Sequence, residues 1–95
     1  MERSEQTDKY LGEMLAMWKE LLERDEVDPD DNFFELGGTS LKAMLLLNRI
    51  ENAYDIEIET EELADHQTAR EVAAMVGEKR APFDRLAERG QGKQG

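Results

Sequence analysis

The 95-residue sequence predicts an all-α fold: a small four-helix bundle, three helices main and one short, with a long loop between helices one and two. Three observations point there. Apolar residues recur at steps of three and four in separate stretches, the pattern of helices with one buried face. The one alternating stretch, Asp55 to Glu59, is short and has no partner strand. Apolar residues make up 39% of the chain and aromatics only 6%, so Leu, Met, Ile, Val and Ala must build the core, and that palette suits helices.

Helix one is expected from Thr7 to Arg24, where Leu11, Met14, Leu15, Trp18, Leu21 and Leu22 form the stripe. Asp25 to Thr39 breaks the period with Pro29, several acids and Gly37-Gly38, and reads as a loop that Val27, Phe33, Phe34 and Leu36 can pin to a core. Helix two runs from Ser40 to Tyr54, with Ser40 as N-cap or first-turn residue. After an extended connector, Thr60 to Asp65 suits a short helix capped by Thr60, with two acids in its first turn. Thr68 to Glu71 has capping-box spacing, and Ala69, Val72, Ala73 and Val76 carry the last core helix up to Gly77. The expected division is one domain over residues 1–80 and a polar, disordered tail over 81–95.

Composition narrows the function classes. With 23 acidic against 12 basic residues the net charge is −11, which repels nucleic acid and anionic lipid and favours neutral or basic partners. There is no cysteine, so the chain can supply neither a thiolate metal site nor its own thioester, and any thiol must be imported. No secretion signal opens the chain and no apolar run reaches the roughly 18 residues of a membrane span. A cytoplasmic monomer is expected.

On a helical wheel, Ala43, Leu46, Leu47, Ile50, Ala53 and Tyr54 share one arc of helix two and suffice for a core. Leu41, Met44 and Leu45 fall outside it, close to Ser40. They are either covered by Phe34 or Leu36 of the loop or they form a docking patch. Flexible, polarizable Met suits several partners. Ser40 follows two glycines and Thr39 at a helix start, where unpaired N–H groups and the dipole favour a phosphate. Local chemistry alone leaves open whether Ser40 is only a cap.

The segment FFELGGTSLKAMLLLNRIE, Phe33 to Glu51, resembles the phosphopantetheine attachment motif of carrier proteins: a Gly-Gly pair, a variable residue, Ser and Leu after an acidic loop with an aromatic pair. Thr39 stands where fatty-acid and polyketide acyl carriers more often have Asp and where peptidyl carriers often have His or Asp. The likeness is closest to peptidyl or aryl carriers of nonribosomal peptide synthesis. It extends through DIEIETEELADHQTAREVAAMV, Asp55 to Val76, and covers about three quarters of the chain. The resemblance implies a carrier, itself no enzyme, with 4'-phosphopantetheine on Ser40 and the site shaped by Gly37, Gly38 and Leu41; the expected partner surface of Leu41, Met44, Leu45 and Phe34 comes from the helical wheel and the loop beside it instead. It implies a separate phosphopantetheinyl transferase drawing on coenzyme A, an adenylating enzyme that loads an amino or aryl acid as a thioester, and condensing, tailoring or releasing enzymes beyond. It also suggests a freestanding carrier. The alternatives are an acyl carrier of polyketide or fatty-acid type, or a helical interaction module with Ser40 unmodified.

Other motifs fall short. Asp28, Asp30 and Asn32 imitate a calcium loop, but its sixth position is Phe33 and its twelfth Thr39, where Gly and Glu are needed. Gly38 to Lys42 lacks the second glycine of a hydrolase elbow and the parallel sheet beneath it. His66, the single histidine, is expected to cap or to face solvent.

Overall fold

The computed structural model describes residues 2–94, and side-chain surroundings within residues 9–84. Four helices follow one another: α1 Glu2–Leu22, α2 Ser40–Tyr54, α3 Thr60–Asp65 and α4 Ala69–Gln94. Among the described residues there is no strand, only an isolated antiparallel bridge between Asn32 and Thr68.

The stripe of α1 runs at steps of four through Tyr10, Met14, Trp18 and Leu22, all buried. It lies along α4, whose small Ala69 and Ala73 let the helices approach while Val72 and Val76 fill the space between. Ala43, Leu46 and Ile50 of α2 and Leu63 of α3 close the core from the other side. Compared with the sequence pattern, Tyr10 joins the core, and Leu11, Leu15 and Leu21 are half-buried at its margin. On α2, Ala53 is exposed, and Tyr54 is half-buried, packed edge-on against Tyr10 with centroids 5.4 Å apart. The long loop contributes Phe33, fully buried edge-on to Trp18 with centroids 5.2 Å apart.

Two helix ends stop in left-handed backbone without glycine. Glu23 (φ 55°) ends α1, with Arg24 N–H donating to Lys19 O at 3.0 Å, and Asp55 (φ 57°) ends α2, donating to Glu51 O at 2.8 Å. The capping box expected at Thr68 and Glu71 is formed, each side chain accepting the other's backbone N–H at 3.1 and 3.3 Å. The N-cap of α3 is Glu59 instead of Thr60, and Glu62 Oε1 accepts its N–H at 2.9 Å. Lys79 pairs with the same Glu62 at 3.0 Å. These bonds, the backbone one first, hold the Glu62 carboxyl below its usual range.

The last helix departs from expectation. It does not stop at Gly77, and the backbone of residues 81–94, read from sequence as a disordered tail, is helical with Pro82 inside. Tertiary bonds on either side of Pro82 explain why the helix continues past it. Tyr10 Oη donates to Asp84 Oδ2 at 2.8 Å, and Arg80 Nη1 donates to Tyr54 O at 2.8 Å, so α1 and the end of α2 both hold this stretch. Burial, then the Asp84 carboxylate, raises the Tyr10 phenol above its ordinary 10.0.

Candidate functional site

The site is built from the loop upward. Asn32 Oδ1 accepts the N–H groups of Phe34 at 2.9 Å and Glu35 at 3.2 Å, and Leu36 N–H returns to Asn32 O at 3.1 Å. This tight turn sends the Phe33 ring into the core and leaves Phe34 outside. Arg24 Nε, just past the end of α1, holds Leu36 O at 3.2 Å, and Arg70 N–H of α4 reaches Pro29 O at 3.0 Å, so both ends of the loop are tied down. Arg70 also pairs with Asp30 at 2.8 Å, an exposed contact of small energetic weight.

The two glycines do different work. Gly37 has φ +109°, backbone that side chains other than glycine rarely adopt. Gly38 sits against Phe33: a Cβ there would lie 2.4 Å from two ring carbons and 2.7 Å from the Phe33 carbonyl oxygen, which accepts the Gly38 N–H at 3.0 Å. The chain then enters α2 at Thr39, whose backbone is extended (φ −109°, ψ 172°) and whose Oγ1 accepts Lys42 N–H at 3.2 Å. Thr39 is therefore the N-cap, and Ser40 is the first helical residue. Of the two roles the sequence left open for Ser40, the structure gives it the first-turn position and not the cap. The Ser40 side chain is exposed, and no acid occupies the first turn of α2.

The apolar residues off the core arc are in the open. Leu41 is 68% exposed, Met44 61%, Leu45 47% and Phe34 37%, whereas Leu46 is fully buried. The loop does not cover Leu45, because Phe34 turns outward and Leu36 packs as a half-buried residue at the core's edge. Leu41 and Met44 thus share the Ser40 end of α2, with Leu45 one residue further on. Asn32, whose side chain holds the turn, was by contrast invisible as a site residue; the one cue was an Asx residue opening a turn before Phe33. His66 is the C-cap of α3, its Nδ1 2.7 Å from Glu62 O, as a capping role requires.

The family model described as "Phosphopantetheine attachment site" matches residues 13–76. The chain belongs to this family. Its cofactor is 4'-phosphopantetheine, held covalently. The matched region spans the second half of α1, the loop, α2, α3 and the first two turns of α4. Bacitracin synthase 2 of Bacillus licheniformis is 32% identical over 66 residues, 70% of this chain but 2% of that protein's length. Among solved structures, BlmI, a type-II acyl carrier protein of Streptomyces verticillus involved in bleomycin biosynthesis, superposes with TM-score 0.72 at 32% identity, over 79% of this chain and 89% of BlmI. A peptidyl carrier protein in complex with coenzyme A and the phosphopantetheine transferase Sfp gives TM-score 0.69 at 26% identity, over 72% and 88% of the two chains. The four-helix carrier bundle is thus shared at both levels, and no described helix is long and apolar enough to cross a membrane.

Proposed function

We propose that Ser40 is the attachment residue and that the chain carries aminoacyl, aryl or other acyl groups between the enzymes of a natural-product assembly pathway of nonribosomal type. One observation carries the assignment. The chain has two serines, Ser4 and Ser40, and only Ser40 falls inside the matched family region 13–76.

The local residues fit the group. Thr39 takes the capping duty, which leaves the Ser40 hydroxyl uncommitted on an exposed first turn. Lys42 N–H is bonded to Thr39 Oγ1 and Ala43 N–H to Thr39 O, so the N–H groups of Ser40 and Leu41 are the helix donors without an intrahelical acceptor. These donors and the positive end of α2 stabilise a phosphodiester charge at Ser40. Gly38 lets the backbone before Ser40 pack directly against Phe33, and Gly37 supplies the turn. During modification, which a separate transferase performs, the Ser40 Oγ gives its proton to a base of that enzyme and bonds to phosphorus as the coenzyme A pyrophosphate linkage breaks and adenosine 3',5'-bisphosphate leaves. Once bound, the group supplies a flexible arm ending in the thiol that this cysteine-free chain lacks, so that an acyl group can be held as a thioester and kept at high effective concentration beside each partner.

Leu41, Met44, Leu45 and Phe34 are the proposed contact surface for the transferase, the adenylating enzyme and the condensing, tailoring or releasing enzymes. Their exposure beside Ser40 supports that reading. The test is to incubate the chain with coenzyme A and a broad-specificity transferase, digest it and map the added mass. The modification is expected on the peptide containing Ser40; modification on the peptide containing Ser4 would overturn the assignment.

A further inference from the structure

The residues before Ser40 are tied to the connection between α3 and α4 by a polar chain that the carrier role does not itself require. Gln67, in the short connection between α3 and α4, donates from Nε2 to Ala64 O at 2.8 Å and accepts from Asn32 Nδ2 at Oε1, 2.7 Å. Asn32 in turn accepts the N–H groups of Phe34 and Glu35. Alongside runs a backbone bond, from Phe33 N–H to Gln67 O at 2.7 Å. Both ends of the Gln67 amide and both ends of the Asn32 amide are therefore engaged, which fixes their orientation and the direction of the whole relay.

We infer that Gln67 and Asn32 are positioning residues, which set the presentation of Ser40 to the transferase by holding the turn that leads into it. This rests on Ser40 being the attachment residue. The mechanical path is short. Asn32 fixes the Phe33–Glu35 turn, Phe33 is clamped between Trp18 and Gly38, and Gly38 is two residues from Ser40. Between Asn32 and Ser40, Phe33 is the only fully buried side chain and Leu36 packs at the core's edge, so hydrogen bonds carry much of the orientation of the rest. Because the anchor is Ala64 O at the end of α3, a partner that shifts α3 would also shift the turn before Ser40.

The relay is tested with Gln67→Met, which keeps the shape of the side chain and removes both hydrogen bonds, and with Gln67→Glu, which keeps the acceptor for Asn32. Phosphopantetheine transfer from coenzyme A is followed by mass, with KM for the carrier and kcat determined separately. Amide NMR of the unmodified chain reads Phe34, Glu35, Gly38 and Ser40 directly. Losing a hydrogen bond of ordinary net strength should raise KM about two- to tenfold with kcat nearly unchanged. The four amides should shift in Gln67→Met, and Gln67→Glu, which keeps the Asn32 bond but loses the donor to Ala64 O, should give a KM between those of the parent and Gln67→Met. Gln67 would be merely structural, and the inference overturned, if KM is unchanged well below the melting temperature or if the four amides keep their parental shifts. The amide readout needs no transferase, so failure of the relay is separable from failure of the Ser40 assignment, which would appear as undiminished modification of Ser40→Ala.

Discussion

Replacing Gly38 with Ala probes how the loop presents Ser40. The new Cβ would stand 2.4 Å from Cδ2 and Cε2 of Phe33 and 2.7 Å from its carbonyl oxygen. Comfortable carbon contacts lie at about 3.5–4.0 Å, so something must move by about 1 Å. The ring has little room, being fully buried and edge-on to Trp18 at 5.2 Å. The carbonyl cannot retreat without stretching the 3.0 Å bond it accepts from Gly38 itself. Overpacking of this kind costs about 1–3 kcal/mol. For a domain of this size each kcal/mol moves the melting temperature by about 4–8 °C, so Gly38→Ala should lower it by about 5–20 °C. Gly37→Ala is the control: its Cβ meets nothing within 4 Å, and its cost comes only from side-chain strain at φ +109°. Circular-dichroism melts of Gly38→Ala, Phe33→Leu and the double variant form a cycle. A smaller residue under Gly38 should relieve part of the Ala penalty, giving a coupling above the roughly 0.5 kcal/mol scatter of independent sites. Strict additivity, or an unchanged melt for Gly38→Ala, would refute the steric argument.

Further expectations concern α2 and the acid limb of stability. Leu46→Ala, at a fully buried position, should cost about 2–5 kcal/mol, whereas Met44→Ala, 61% exposed, should leave the melt nearly unchanged while slowing transferase modification; equal destabilisation by the two would remove the patch. Thr39→Ala should cost about 0.5–2 kcal/mol as the loss of the α2 N-cap, and Ser40→Ala should cost clearly less; the reverse order in chemical denaturation would return the capping role to Ser40. The Glu62 carboxyl has its pKa lowered from 4.5 by the Glu59 N–H and Lys79, so its contribution is present above 4.5 and is lost as pH falls through the depressed folded-state value. Glu62→Gln should therefore narrow the gap in stability between neutral and acid solution, and an unchanged gap in urea titrations would contradict the cause assigned.

Much of this was legible because periodicity reports on burial directly. Met14, Trp18, Leu46, Ile50, Val72 and Val76 all occupy the core that their spacing implied, and α3 has the bounds read for it. What the pattern missed required knowledge of neighbours. Tyr10 belongs to the core because Gly77 of α4 passes it, with space for a Cβ 3.6 Å from its ring, a contact between residues remote in sequence. Nothing local marks Gly77 as interior when glycine so often ends helices. The extension of α4 depends on Tyr10–Asp84 and Arg80–Tyr54 bonds, tertiary terms that override the low helix propensity of Pro82. At the site, Thr39 and Ser40 both had the chemistry of a cap, and only the backbone register separates them. The wheel placed Met44 and Leu45 off the core arc, but whether the loop covered them depended on how the Asn32 turn directs Phe34. Gln67 gave no signal at all, since its role exists only through contact with a residue 35 positions away.

The central claim, that Ser40 bears the phosphopantetheine arm, is tested most directly by intact mass. The parent chain and Ser40→Ala are each incubated with coenzyme A, magnesium and a broad-specificity transferase, and circular dichroism confirms that both are folded. The parent is expected to gain the mass of one phosphopantetheine group to completion, and Ser40→Ala to gain none. A folded parent that gains nothing, or a Ser40→Ala chain that gains the same mass, would contradict the claim.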